Sequence, residues 1–263
     1  MKPSKTIFLT LVVIFSFTAC FKTPTEGFKV EGSIANIQDC PSDRVMAIVP
    51  DGYNFNTKIS ESKLNNNYFS LFLPYELKDK YCATIGAEKY ILFDPRFDTS
   101  QTISNINVKV SKILLNSDDK YYPDGNITQF GYSEKYSNGV ADVTLVKTKY
   151  VYAQSAVSIT GDYKIRLNVF GEDLYKTIKE DLFLQKGWNI IYYIGNYTSK
   201  PNTYFEEVDM AIINITTIKP ENIELKWYYG FRENYRNILE NDNVQFLYMW
   251  YIFSYYTDFI LTF

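Results

Sequence analysis

Histidine is absent from this 263-residue chain. Its absence removes the commonest neutral-pH general base, every Ser-His-Asp or Cys-His hydrolytic constellation, and every His-ligated metal site. A basic surplus is also missing: 27 Lys and Arg stand against 30 Asp and Glu, for a net charge of −3. Without clustered cations there is nothing to neutralise a phosphate backbone, which argues against nucleic acid as a partner. Attachment to anionic headgroups by charge alone loses its support for the same reason. Convincing helical periodicity is scarce before residue 230. No nucleotide-binding or metal-binding signature stands out.

What the chain has in excess is aromatic. Aromatics make up 17% of it, with 24 Tyr and 19 Phe, inside an overall balance of 46% hydrophobic and 22% charged residues that suits a packed globular protein. Strands favour aromatic and β-branched side chains, so an all-β fold accumulates them. Exposed tyrosines also form platforms for sugars or peptides, and the composition alone leaves both uses open.

The amino terminus has its own grammar. Lys2 and Lys5 precede an apolar core from Ile7 to Phe17, followed by Phe17-Thr18-Ala19 and then Cys20. The core is shorter than the ~20 residues a transmembrane helix needs, and the order of charge, apolar run and small residues is that of an export signal. A plain signal with a chance cysteine is the competing reading. Thr18-Ala19-Cys20 resembles the lipobox of bacterial lipoproteins, although Phe17 stands where that family usually has Leu. The resemblance implies removal of residues 1–19, lipidation of the Cys20 thiol and anchoring of the chain to a membrane through acyl groups. Residues 20–27 then form a short polar tether. Phe21-Lys22 lacks the aspartate that retains such proteins at an inner membrane, so the resemblance points to the outer membrane of a bacterial envelope. Two further cysteines remain, Cys40 and Cys82, an even pair in an exported chain. They are either a disulfide or two buried thiols.

Apolar and polar residues alternate with a period of two through much of the body. Phe28, Val30 and Ile34 oppose Lys29, Glu31 and Ser33; the pattern returns at Phe69-Leu71-Leu73, Ile106-Val108-Val110 and Tyr163-Ile165-Leu167-Val169. It recurs at Trp188-Ile190-Tyr192-Ile194 and Ile223-Leu225-Trp227-Tyr229. Each reads as a strand with one wet face, the mark of antiparallel sheets. Turn clusters punctuate them at 50–56, 62–67, 94–100, 116–126, 133–139 and 198–204. The longest, around 116–127, is expected to link two tandem antiparallel β-sandwiches at 28–115 and 128–230. "VEGSI", "NNNYFSLFLP" and "LQKGWNIIYY" resemble segments of transthyretin-like and carboxypeptidase-regulatory-like sandwiches, which implies architecture and no particular activity.

Beyond Gly230 the pattern changes. Phe231, Tyr235, Ile238 and Leu239 fall at helical spacing, and the segment 244–263 that follows has Asp258 as its single charge. A membrane span, packed aromatic strands, a terminal barrel strand and readthrough past a natural end compete for this tail. A buried or poorly ordered apolar tail is the expectation adopted.

Two chemistries survive the loss of histidine. Paired carboxylates would have to come from Asp94, Asp98, Glu172, Asp173, Glu180, Asp181, Glu206 and Glu207, most of them beside turns or on wet strand faces. Asp118, Asp119, Asp124 and Asn126 offer hard oxygens for calcium, but the EF-hand spacing is not met and Pro123-Asp124-Gly125 is ordinary turn chemistry. Sequons at Asn126, Asn196 and Asn214 matter only in a eukaryotic secretory route, which the lipobox argues against. The chain is therefore expected to be a lipid-anchored envelope protein, not an enzyme, with no cofactor or metal and an envelope protein or glycan as partner. The alternative is a carboxylate-based enzyme acting on envelope glycans.

Overall fold

The computed structural model describes residues 26–40, 42–51, 54–85, 102–117, 126–138, 140–169, 172–199 and 209–230. The expected signal peptide, lipidated cysteine, helix and apolar tail lie outside them. The described residues are predominantly β, with no α-helix among them. In chain order the strands are β1 (Phe28–Ser33), β2 (Arg44–Asp51), β3 (Asn54–Lys63), β4 (Tyr68–Leu73) and β5 (Ala83–Thr84). Then come β6 (Thr102–Ile103), β7 (Lys109–Lys112), β8 (Leu114–Asn116), β9 (Asn126–Ser137) and β10 (Val140–Ala153). The last are β11 (Val157–Val169), β12 (Glu172–Leu184), β13 (Gly187–Ser199), β14 (Asp209–Thr216) and β15 (Lys226–Tyr229). Asn66 and Asn138 turn the β3–β4 and β9–β10 connections at φ 60° and 52°, a left-handed conformation that asparagine tolerates better than most residues.

β1 and β4 pair antiparallel as a small sheet, from Phe28 opposite Leu73 to Ser33 opposite Tyr68. The other strands form one large sheet ordered β3-β2-β8-β9-β10-β13-β14-β12-β11-β6, with β15 on β9, β7 on β10 and β5 on β7. Hydrogen bonding therefore runs across the expected linker at 116–127: Leu115 and Asn116 of β8 pair with Ile127 and Asn126 of β9. β7 pairs with the second half of β10, and the Ile113 N–H donates to the Tyr150 carbonyl, so the segment 109–116 is stitched into strands on both sides of that stretch. Among the described strands the ladders are antiparallel except β12 with β14, which run parallel; an isolated bridge from Ile34 to Trp227 is parallel too. The parallel ladder arises because β14 sits between β12 and β13, whose connection at Gln185-Lys186 is only two residues long. That turn is bound by Asn189, whose amide donates to the carbonyls of Gln185 and Gly187 and whose oxygen accepts the Gln185 N–H.

The two sheets face each other in the manner of a sandwich. Val30 of β1 and Phe69, Leu71 and Leu73 of β4 bury one face of the small sheet against Val45, Ala47, Ile127, Tyr150, Tyr152 and Trp227 of the large one. Here the alternation in the sequence holds: Lys29, Glu31 and Ser33 stay on the outside. It fails on β10 and β13. Tyr192 faces one way and Ile191 and Tyr193 the other, and all three are buried, as are successive residues from Leu145 to Thr148. These central strands are covered on both faces, so period two is lost to continuous apolar character.

Trp227 is the pillar between the sheets. Its ring stacks on Tyr150 at 6.1 Å and meets Phe69 edge-on at 5.3 Å, while its indole N–H donates to the Glu31 carbonyl at 3.1 Å. A glycine is required opposite it: a Cβ on Gly32 would sit 2.3 Å from the Trp227 ring. Next door the Ala35 N–H donates to the Trp227 carbonyl, and the Asn36 side chain bonds both the N–H and the carbonyl of Tyr229 at 2.8 Å. Trp227→Ala is expected to cost about 3–5 kcal/mol of unfolding free energy, as for buried aromatics generally. Gly32→Ala should cost about 1–3 kcal/mol through overpacking. Urea unfolding of the full chain checks both, and a loss under ~1 kcal/mol for Trp227→Ala would show that the ring does not hold the sheets together.

Candidate functional site

The residues singled out in the sequence do not converge. Cys20 lies outside the described residues. Cys40 and Cys82 are both free thiols, so the bridge considered for them is not formed. Cys40, at the end of a single 3-10 turn, donates to the Ser42 carbonyl at 3.6 Å. Cys82 follows a second such turn and donates to the Lys78 carbonyl at 3.8 Å. Burial raises the pKa of both thiols. For Cys82 burial acts first, the Asp79 carboxylate adds to it, and the group is pushed up to about 11. A raised thiol pKa means little thiolate and hence little nucleophilicity at neutral pH.

Of the candidate carboxylates, Asp94, Asp98, Glu206 and Glu207 lie outside the described residues, and Glu172 and Asp173 are described only in backbone. Glu180 is buried on β12, in register with Ile215 of β14 and Gly161 of β11. Asp181 is exposed on the opposite face, as neighbours on a strand must be, so these two do not form a working pair. Of the calcium candidates only Asn126 falls among the described residues, at the start of β9. No group of three or more His, Cys, Asp or Glu arranged to hold a metal occurs among the described residues.

What the fold does assemble on its surface is tyrosine held by glutamate, twice. On the outer face of β1–β4 the Tyr68 hydroxyl donates to the Glu31 carboxylate, which Lys29 also approaches at 2.6 Å. The hydrogen bond from Lys29, then that from Tyr68, holds the Glu31 pKa below the usual carboxylate range; the same carboxylate raises that of Tyr68. At the β9–β10 end, Tyr132, Glu134 and Tyr136 share one face of β9, opposite Leu145, Val143 and Ala141. The Tyr136 hydroxyl donates to Glu134 at 2.5 Å, which raises its pKa. Tyr132 stacks on the buried Phe130 at 6.4 Å with the rings 17° apart. Tyr68, Tyr132 and Tyr136 are 41%, 45% and 67% exposed, so these are oriented rings offered to the outside. Among the described residues, Tyr150, Tyr152, Tyr192, Tyr193 and Tyr197 are buried and belong to the core.

Sequence reasoning missed the second of these faces because 133–139 reads as a turn cluster, whereas 133–137 belongs to β9 and the left-handed turn residue is Asn138. Tyr-x-Glu-x-Tyr at positions 132–136 was the available signal. A third cluster, Asp79 with Lys109 at 2.9 Å and Gln154 at 2.5 Å, is an exposed ion pair beside Cys82. Both contacts lower the Asp79 pKa, first the bond from Lys109 and then that from Gln154. It provides no nucleophile.

No protein-family model, curated protein or solved structure matches this chain.

The thiol environments give a direct expectation. In the native chain both Cys40 and Cys82 should carboxymethylate more slowly at pH 8 than after denaturation, and Cys82 labelling should accelerate as pH rises toward 11. Peptide mass mapping under non-reducing conditions reads this, and a mass two hydrogens short in a Cys40–Cys82 crosslinked peptide would restore the bridge.

Proposed function

We propose that the chain is a lipid-anchored protein of the bacterial cell envelope, held by Cys20, that binds or structurally supports another envelope component through aromatic sheet faces. The anchor rests on the Lys2/Lys5, apolar-core and Thr18-Ala19-Cys20 grammar of the amino terminus, and Phe21-Lys22 favours the outer membrane. One observation supports the binding role above the rest: exposed tyrosines whose rings are already fixed by carboxylates or by stacking. Holding a ring before a ligand arrives lowers the entropy lost on binding. Such rings combine apolar area with a polar tip, which suits partly wet contacts. Two tandem sandwiches remain the finer domain reading for 28–115 and 128–230, with one sheet joining strands of both. The glycan-enzyme reading finds no convergent carboxylate pair among the described residues to build on.

Two measurements bear on this proposal. Wild type should partition with membranes and take up labelled palmitate, whereas Cys20→Ala should be soluble and unlabelled. Wild type released to the aqueous fraction without label would remove the anchor. Separately, Cys20→Ala chain should bind isolated envelopes saturably, and Tyr68→Ala plus Tyr136→Ala should weaken that binding severalfold. Linear, unsaturable retention would end the binding role.

A further inference from the structure

We propose that the β9–β10 end is a binding strip for an uncharged pyranose polysaccharide. The inference rests on the binding reading above and assigns it a ligand class and a place. Single exposed aromatics are common on protein surfaces and carry no meaning alone. Here two stand on one face of one strand, four residues apart and thus about 13 Å between Cα atoms. Each is held from a different direction: Tyr132 by stacking on Phe130, Tyr136 by its hydroxyl on Glu134. The cross-strand partners beside them on the same face are Leu145, Val143 and Ala141, all buried, so the two exposed rings stand at the rim where the covered face of the sheet meets solvent. The turn at Asn138 closes the hairpin directly beyond Tyr136.

The chemistry of the strip selects its ligand. A pyranose ring offers a C–H face to an aromatic ring and hydroxyls to a carboxylate, and the strip supplies ring, carboxylate, ring in that order. The span suits several sugars in a row, not one. Charge decides between neutral and anionic polymers: Glu134 is the charged side chain among positions 132, 134 and 136 and the three residues paired with them, while Lys135 points to the opposite face with Asp142. An anionic chain would set its own charges against Glu134 with no cation of this strip between them. A neutral one meets an acceptor for its hydroxyls.

The test is calorimetric titration of chitohexaose, a neutral β-linked N-acetyl-sugar chain, into the full chain in detergent. Saturable binding is expected, weakened about tenfold or more by Tyr136→Ala and by Tyr132→Ala. Tyr136→Phe, which keeps the ring and loses the bond to Glu134, should lose severalfold only. Tyr75→Ala is the control: Tyr75 is 69% exposed and has no ring contact or side-chain hydrogen bond among the described residues, so it should change nothing. Unchanged urea midpoints show that the variants fold. Absence of saturable binding to chitohexaose, or an equal loss in Tyr75→Ala, overturns the proposal. Saturable binding to isolated envelopes with none to chitohexaose overturns the glycan assignment alone and leaves the binding role standing.

Discussion

The fold depends on a tryptophan entering the space a missing side chain leaves. Trp227 lies against Gly32, and burial of its ring is compatible with a satisfied indole N–H only because the Glu31 carbonyl is within reach. Without that acceptor, a buried donor would offset part of what the ring contributes. The contact closes the chain on itself over most of its described length. Asn36 extends the closure by imitating a strand partner for Tyr229, donating to its carbonyl and accepting from its N–H. β1 is thereby fixed twice, by β4 along its backbone and by β15 at its end, although no strand of the large sheet runs alongside it as a full neighbour. A fold whose contacts span such sequence separations has the high contact order that goes with slow folding.

β10 supplies the complementary constraint. One edge pairs with β13 from Ala141 to Ala153, while the other is divided between β9 and β7. A strand shared in this way is buried on both faces over its second half and emerges only toward Val140. The β9–β10 end is therefore the more exposed end of a strand paired along both edges. Rings mounted there inherit a fixed backbone, which is the condition under which a surface contact is specific and not merely sticky.

Much of this was legible in the sequence, and the failures have a common cause. β1 and β4 were readable because each has one wet face, so Val30 and Phe69, Leu71 and Leu73 alternate cleanly with polar neighbours. β10 and β13 carry the opposite signal: Lys147 and Thr148 are polar yet buried, and Tyr192 and Tyr193 are consecutive yet both inside. Alternation cannot describe a strand covered twice. The stretch at 116–126 shows a related limit. Polar turn residues at 116–126 mark where the chain leaves a sheet, but nothing in them says whether the next strand starts a new sheet or returns to the old one, as Asn126 does beside Asn116. Surface chemistry was least legible. A tyrosine in a stretch rich in Ser, Lys and Asn looks like loop composition, and only the register that places Tyr132, Glu134 and Tyr136 on one side turns it into a face. The thiols were legible as residues but not as a relation, since spacing carries no information on whether two sulfurs meet.

The missing histidine bears on the surface as well as on catalysis. A recognition face built on imidazole changes charge as the surroundings acidify through the mildly acidic range. Here the shifts run the other way. Glu31 is held below the ordinary carboxylate range, while Tyr68 and Tyr136 are raised above the ordinary phenol range. Lys29, hydrogen-bonded to Glu31, is raised too. Each group is moved away from neutrality by the partner that orients it, so the bonds that fix the rings also hold these charges constant where external pH varies. The Tyr68–Glu31 pairing therefore contains no group that titrates in the mildly acidic range where an imidazole would.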